Sequence, residues 1–218
     1  MNNINNNEII NLFKNLNESK IEYILLRNIG NELPNSLRIG KDIDLLINKN
    51  HQNIKNLESI LYKSGYKTIS HPHKNDIFLY SCDKFIFKYN NSNKIKLDLQ
   101  FQILCRSLNA GEWLPIDQKI QDSAWNNKVM RNNEGLSYWS LSNEDEFITL
   151  IVRSIFDKNI FLDDYKNKII ELYELIDINN VEEKLQLIFF KYSSILLNHI
   201  KTKNFNSLID NYIMFKDY

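Results

Sequence analysis

Cysteine, proline and glycine are all scarce in this chain of 218 residues, which holds 2, 3 and 5 of them respectively. Two cysteines cannot build a disulfide scaffold or a multi-cysteine metal site, so we expect Cys82 and Cys105 to be reduced thiols. Hydrophobic residues make up 43% of the chain and charged residues 25%. These ordinary values exclude collagen-like and wholly disordered classes and predict a folded core, in one large domain or two small ones.

An excess of charge of one sign is also missing, because 27 basic residues balance 27 acidic ones. General nucleic-acid binders carry a basic excess, so we predict no general nucleic-acid binding. No apolar run approaches the roughly 18–20 residues that cross a bilayer. The Asn-rich start, residues 1–8, lacks the basic and apolar regions of a signal peptide. Together these absences predict a cytoplasmic protein without a membrane span.

Arginine is much scarcer than lysine, with 5 arginines against 22 lysines, and asparagine is abundant, with 33. This bias resembles the codon usage of an AT-rich genome, so clusters of asparagine carry little information. Arginine is informative for the opposite reason. Arg27, Arg38 and Arg106 all lie close in sequence to the acidic motif described below, which makes them candidates for contact with phosphate.

The pattern of apolar and turn-forming residues changes near residue 140. Residues 20–105 alternate short apolar runs with turns, whereas residues 142–217 read as helices, with no glycine or proline after Gly135. We therefore predict an α/β part over 1–105, an irregular connector over 106–140 and a helical part over 141–218. Helical spacing of four apolar residues predicts a first amphipathic helix, and these residues are Ile9, Leu12, Phe13 and Leu16. Short apolar runs predict strands over 22–27, 42–47, 66–70, 77–80, 85–89 and 95–103.

The segment Asp42–Ile47, DIDLLI, is the motif that carries chemistry. Side chains alternate between the faces of a strand, so Asp42 and Asp44 share one face and the aliphatic residues share the other. Two carboxylates at this spacing, roughly 6.6–6.8 Å between Cα atoms, can converge on one divalent ion. Unpaired carboxylates beside an apolar strand are costly, and a hard cation such as Mg²⁺ compensates them with oxygen ligands.

A third carboxylate is predicted on a later strand. Asp98 shares a strand face with Lys96, Gln100 and Gln102, while the other face is apolar. If this strand lies beside Asp42–Ile47, three carboxylates meet. Two-metal phosphoryl-transfer sites need such an arrangement.

The Asp42-Ile43-Asp44-Leu45 segment and Asp98 resemble the nucleotidyltransferase superfamily with the DNA-polymerase-beta-like fold. That family carries a Gly-Ser pair before the aspartate strand, and here Arg27-Asn28 stands in its place, with Gly30 just beyond. The variant is similar to small bacterial and archaeal nucleotidyltransferase-like proteins. The resemblance implies an α+β protein with a mixed-sheet nucleotidyltransferase core, followed by a C-terminal helical bundle.

The resemblance also implies a function. We expect a metal-dependent enzyme that moves a nucleoside monophosphate from an NTP to a hydroxyl or phosphate acceptor, such as a sugar or sugar phosphate of surface-glycan synthesis. Asp42, Asp44 and Asp98 would be catalytic and would hold Mg²⁺ or Mn²⁺. Basic and amide side chains near the motif are the candidates for binding substrate, and these are Arg27, Asn28, Arg38, Lys41 and Lys96.

Two other functions stay open at this point. One is a toxin- or antitoxin-type nucleotidyltransferase that modifies protein or RNA. The other is a catalytically degenerate nucleotide-binding module, because Arg27-Asn28 replaces the Gly-Ser turn. For Arg27 itself, an ion pair with one of the aspartates is the alternative to a phosphate contact. His71 and His73 are read as loop residues rather than metal ligands.

Overall fold

The computed structural model describes residues 3–70, 77–78, 83, 85–106 and 112–215, with the backbone alone at 77–78 and 211–215. The strands are β1 (Tyr23–Leu26), β2 (Asp42–Ile47), β3 (Tyr66–Ile69), β4 (Ile77–Phe78), β5 (Ile86–Asn90), β6 (Lys96–Gln100), β7 (Leu104–Arg106), β8 (Glu112–Pro115), β9 (Val129–Asn133) and β10 (Leu136–Ser140). The helices are α1 (Asn6–Glu18), α2 (His51–Lys63), α3 (Gln118–Asn126), α4 (Asn143–Val152), α5 (Asp163–Tyr173), α6 (Ile178–Phe189), α7 (Ser193–Lys201) and α8 (Phe205–Phe215), and a π-helical segment (Arg153–Lys158) follows α4.

The chain divides into two compact units. The first unit comprises Met1–Asn75, Asp83–Gln102 and Lys128–Ser140, and the second comprises Asp76–Cys82, Ile103–Asn127 and Leu141–Tyr218. Within the described residues, the first unit holds a seven-stranded sheet in the order β3-β5-β6-β2-β1-β10-β9. The pairs β2–β6 and β1–β10 are parallel and the other neighbours are antiparallel. The sheet is therefore mixed, which confirms the expected fold class.

Helices α1 and α2 cover one face of this sheet. The side chain of Asn5 caps α1 by accepting a hydrogen bond from the backbone N–H of Asn7 at 3.0 Å. All four apolar residues that predicted this helix are buried, and they pack with the aliphatic side of β2 in one core. The ring of Phe13 lies 5.7 Å from that of Tyr23 and 6.3 Å from that of Tyr138. Removing such side chains from water fixes which face of each strand is turned toward the helices.

Residues 106–140, predicted to be an irregular connector, instead contain regular structure. They include β8, α3, β9 and β10, and β9 and β10 extend the sheet of the first unit. The prediction was wrong because β9 lies at the sheet edge, where Val129 and Met130 are exposed and no apolar alternation develops. In β10 the alternation is short: Leu136 and Tyr138 are buried and Ser137 is exposed.

The second unit contains a three-stranded sheet, in the order β4-β8-β7, and helices α3 to α8. Ser142 caps α4, since its Oγ accepts from the backbone N–H of Asp145. Asp145 is 0% exposed and accepts hydrogen bonds from Ser123 Oγ at 2.8 Å and from Lys184 Nζ at 3.0 Å. None of the helices, over the residues described, is both long and apolar enough to span a lipid bilayer.

Candidate active site

The acidic motif lies on the face of the sheet opposite α1 and α2. Strand β2 pairs with β6 in parallel, so that Asp44 lies beside Asp98 and Asp42 lies beside Lys96. The alternate residues Ile43 and Leu45 belong to the helix-covered core. Burial of these aliphatic side chains on one face therefore places the carboxylates on the other.

The three predicted carboxylates converge. Oxygen atoms of Asp42, Asp44 and Asp98 all lie within 4.8 Å of one another. Asp98 is 8% exposed, and the other two are partly exposed. Like charges at 4.8 Å repel by about 0.9 kcal/mol in bulk water and by about 3.5 kcal/mol at an effective dielectric constant of 20. An all-oxygen donor set with this excess of negative charge suits a hard divalent cation such as Mg²⁺ or Mn²⁺.

Arg27 brings a positive charge to the same cluster. Its Nη2 donates to Asp44 Oδ1, and both side chains are about four-fifths buried, at 17% and 19% exposure. Arg27 follows directly on β1 and has a φ of 61°. A residue with a Cβ atom pays roughly 1–2 kcal/mol for this left-handed conformation. The structure thus contains the ion pair that was the alternative to a phosphate contact.

Asn28, the next residue, anchors the loop after β1. Its Oδ1 accepts from the backbone N–H of Leu33 at 3.0 Å, and its Nδ2 donates to the hydroxyl of Tyr138 at 3.2 Å. The side-chain amide is therefore engaged on both sides. Its role in this structure is to fix the loop that follows Arg27.

The remaining candidates for substrate binding do not converge with the carboxylates to the same degree. Lys41 Nζ contacts both carboxylate oxygens of Glu32, at 2.7 and 3.0 Å. Lys96 lies beside Asp42 in the register, but its Nζ sits over the ring of Phe87, 5.0 Å from the centroid. Arg38 is exposed and forms an isolated antiparallel bridge with Asn3.

Sequence reasoning missed three residues that shape this region: Tyr138, Glu32 and Phe87. Tyr138 lies in the segment that was predicted to be irregular, and alternation in β10 is the signal that could have found it. Glu32 and Phe87 act through partners on other elements, which no local pattern shows. His71, His73 and Cys82 lie outside the described residues. In the second unit, the guanidinium of Arg106 stacks 5.2 Å from the ring of Trp113, where it belongs to local packing.

Comparison with known proteins places the chain in a family. A profile described as "Uncharacterised nucleotidyltransferase" matches residues 2–208. This match confirms the resemblance to nucleotidyltransferases and the expectation of an enzyme. A comparison with curated protein sequences gives no match.

Three solved structures are similar to this chain. The lincosamide antibiotic adenylyltransferase LnuA, bound to lincomycin, is 14% identical over 80% of this chain and 100% of its own, with a TM-score of 0.48. The antibiotic-resistance factor ANT(2'')-Ia is 12% identical over 89% of this chain and 98% of its own, with a TM-score of 0.49. An antigenic nucleotidyltransferase-like protein from Paracoccidioides brasiliensis is 14% identical over 87% and 90%, with a TM-score of 0.47.

Proposed function

Because this chain belongs to the uncharacterised nucleotidyltransferase family, we propose that it transfers a nucleoside monophosphate from an NTP, with Mg²⁺ or Mn²⁺, to an acceptor oxygen. The acceptor in this proposal is a sugar or sugar phosphate. The observation that carries it is the convergence of Asp42, Asp44 and Asp98 within 4.8 Å on one face of the sheet. Three carboxylates gathered on one face form a negative cluster, which Arg27 offsets in part and a divalent ion would compensate.

The roles of the residues follow from their positions. Asp42 and Asp44, two apart on β2, are the proposed metal ligands, and Asp98 completes the set from β6. A divalent ion held there would neutralise triphosphate charge and favour the ionised form of the acceptor oxygen. Asp98, the most buried of the three, is either a ligand or the base that orients the acceptor.

The transfer itself is a substitution at the α-phosphorus of the NTP. The acceptor oxygen forms a bond to that phosphorus, and the bond from phosphorus to the oxygen bridging the α- and β-phosphates breaks. Pyrophosphate leaves with the electron pair of the broken bond. The acceptor proton passes to Asp98 or to solvent. With a sugar phosphate as the acceptor the product is a nucleoside diphosphate sugar, and with a sugar hydroxyl it is a nucleotidylated sugar.

The proposed acceptor is supported by the chain's charge and its family. The chain has no net basic excess, which is the charge that a polyanionic RNA acceptor favours. The proteins that Asp42–Ile47 resembles are often encoded among genes for surface polysaccharides. Protein or RNA as the acceptor is the outcome that would replace this proposal.

The experiment is a transfer assay on the purified protein. Each of the four NTPs, labelled at the α-phosphate, is incubated with Mg²⁺ and with glucose 1-phosphate, N-acetylglucosamine 1-phosphate or methyl glucoside. Pyrophosphate release and the mass of the product are measured. Asp42→Asn and Asp44→Asn should lose transfer by at least 100-fold, because removal of a preorganised charge at a phosphoryl-transfer site costs about that much.

The matched control is Glu22→Gln, which removes an exposed carboxylate from the same unit. This variant should retain the wild-type rate. Label that appears in protein or RNA rather than in the sugars would overturn the sugar acceptor but keep the transferase. Magnesium-dependent NTP binding without transfer to any acceptor would indicate the degenerate module instead.

A further inference from the structure

The side chain of Arg27 reaches the acidic face against the alternation of its own strand. Leu26 pairs with Asp44 across the sheet, so Leu26 faces the carboxylates. Tyr23 and Leu25, the alternate residues, belong to the helix-covered core. Continued alternation would turn Arg27 toward that core as well. The positive φ of 61° at Arg27 breaks the alternation and brings its guanidinium to Asp44.

Such a conformation persists only where the surroundings hold it. Residues with a side chain in the left-handed region are strained, and they cluster at active sites and switch regions. Here the next residue stabilises the backbone, because the side chain of Asn28 is hydrogen-bonded to Leu33 and to Tyr138. The loop is thereby clamped one residue beyond Arg27, and the guanidinium alone is left as the part that can change partners.

The charge that Arg27 neutralises is the one that a metal ion would neutralise. Asp44 lies within 4.8 Å of the other two carboxylates, so an ion held by the three carboxylates competes with the guanidinium for Asp44. A guanidinium released from a carboxylate retains a planar fork of donors, and this fork also fits phosphate oxygens. Asp44 and a triphosphate are therefore alternative partners for the guanidinium of Arg27.

We infer that Arg27 is a positioning residue that couples the binding of the metal ion to that of the NTP: its guanidinium holds Asp44 before an ion binds and moves to the triphosphate when an ion is bound. This inference rests on the proposed function. It assigns to Arg27 the task that the Gly-Ser turn performs in the wider family, with a side-chain cation in place of backbone amides. Reciprocity of coupling then requires that metal and NTP each tighten the binding of the other through Arg27.

The scarcity of arginine makes the movement directly observable. The chain has 5 arginines, so a sample labelled with ¹⁵N-arginine gives few side-chain signals, and Arg27→Gln assigns the one from Arg27. Addition of Mg²⁺ alone should shift and broaden this signal, since its bond to Asp44 weakens. Addition of Mg²⁺ with an NTP should move it again and slow its exchange with solvent, as a phosphate contact forms.

Binding measurements on variants give a second, independent readout. Loss of a charge-assisted hydrogen bond corresponds to about a 10- to 100-fold change in affinity. Arg27→Gln should therefore weaken the binding of Mg²⁺-NTP by that factor, while Mn²⁺ alone binds more tightly than to the wild type. Arg27→Gly keeps the backbone conformation without strain and should show the same pair of opposite changes if the glutamine variant folds poorly.

The matched control is Lys14→Gln, which removes one positive charge from the exposed side of α1 in the same unit. Both affinities should stay at wild-type values. The inference is overturned if the wild type binds Mg²⁺-NTP while the Arg27 signals stay in place and Arg27→Gln binds the nucleotide equally well. Failure of the wild type to bind any NTP with Mg²⁺ refutes the proposed function itself. The same samples therefore distinguish failure of the inference from failure of the proposed function.

Discussion

Removal of one carboxylate from the acidic cluster should make the ligand-free protein more stable. The change is Asp42→Asn, which preserves the shape of the side chain and removes its charge. Asp42 is partly exposed and lies within 4.8 Å of both Asp44 and Asp98. Natural active sites tolerate such repulsion because function requires it, and the substitution releases it.

The size of the effect follows from the distances. Each like-charge pair at 4.8 Å costs about 0.9 kcal/mol at the dielectric constant of water and about 3.5 kcal/mol at a value of 20. Arg27, paired with Asp44, offsets part of this repulsion. For a partly exposed group screened by solvent we take the lower figure for each of the two pairs; less the offset from Arg27, this leaves about 1 kcal/mol in total, which corresponds to a rise in Tm of about 2–4 °C in a protein of this size.

The assay is thermal unfolding of the wild type and the variant, each with and without Mg²⁺ and each of the four NTPs. Ligand at about 100 times its Kd stabilises by about 2.7 kcal/mol, so the wild type should gain about 5–11 °C with its own NTP. The variant should begin higher and gain little. Glu22→Gln, an exposed carboxylate of the same unit, should follow the wild type in both respects. The reasoning is refuted if Asp42→Asn lowers the ligand-free Tm, or if its response to Mg²⁺-NTP equals that of the wild type.

Two further predictions concern stability away from the cluster. Lys184→Met leaves the fully buried carboxylate of Asp145 without its cation and should cost about 3–5 kcal/mol in urea unfolding; a loss below about 1 kcal/mol would mean that the serine hydroxyls suffice. Burial raises the pKa of Tyr66 above the ordinary value of about 10. The folded protein therefore binds more protons than the unfolded chain above that pH, so stability falls as pH rises through about 10. Tyr66→Phe should flatten this fall, and an unchanged slope would contradict it.

Much of the fold could be predicted because its determinants are local. The stripe that begins at Ile9 and ends at Leu16 sets α1, and the structure buries all four of its members. The alternation in Asp42–Ile47 sets which side chains of β2 face the core. These patterns lie within short stretches of the chain, so the positions that will be buried can be predicted from the sequence alone.

Pairings between distant segments were harder to predict. The sequence predicted that Asp98 meets Asp44 only if its strand lies beside Asp42–Ile47. The sheet order shows that β6 does lie beside β2. The hydrogen bond from Asn28 to Tyr138 joins residues 110 positions apart. Such contacts follow from the global arrangement of elements, which no periodicity within one segment encodes.

The conformation of Arg27 is a third case. Sequence patterns assign positive φ to glycine and asparagine, and an arginine gives no such signal. Nothing in the sequence therefore indicated the backbone turn that brings this side chain to the acidic face. The sequence left open whether Arg27 pairs with an aspartate or contacts phosphate, and the structure shows the pair with Asp44 together with the positive φ that permits it.

The central claim is that Asp42, Asp44 and Asp98 hold the divalent ion that nucleotidyl transfer needs. The most direct measurement is the anomalous scattering of Mn²⁺ in crystals grown with MnCl₂ and an NTP whose α–β bridge cannot be cleaved. We expect anomalous peaks within coordination distance of all three carboxylates, with the triphosphate beside them, and no peak there in Asp44→Asn crystals. A nucleotide-bound manganese that lies away from these three side chains would contradict the account.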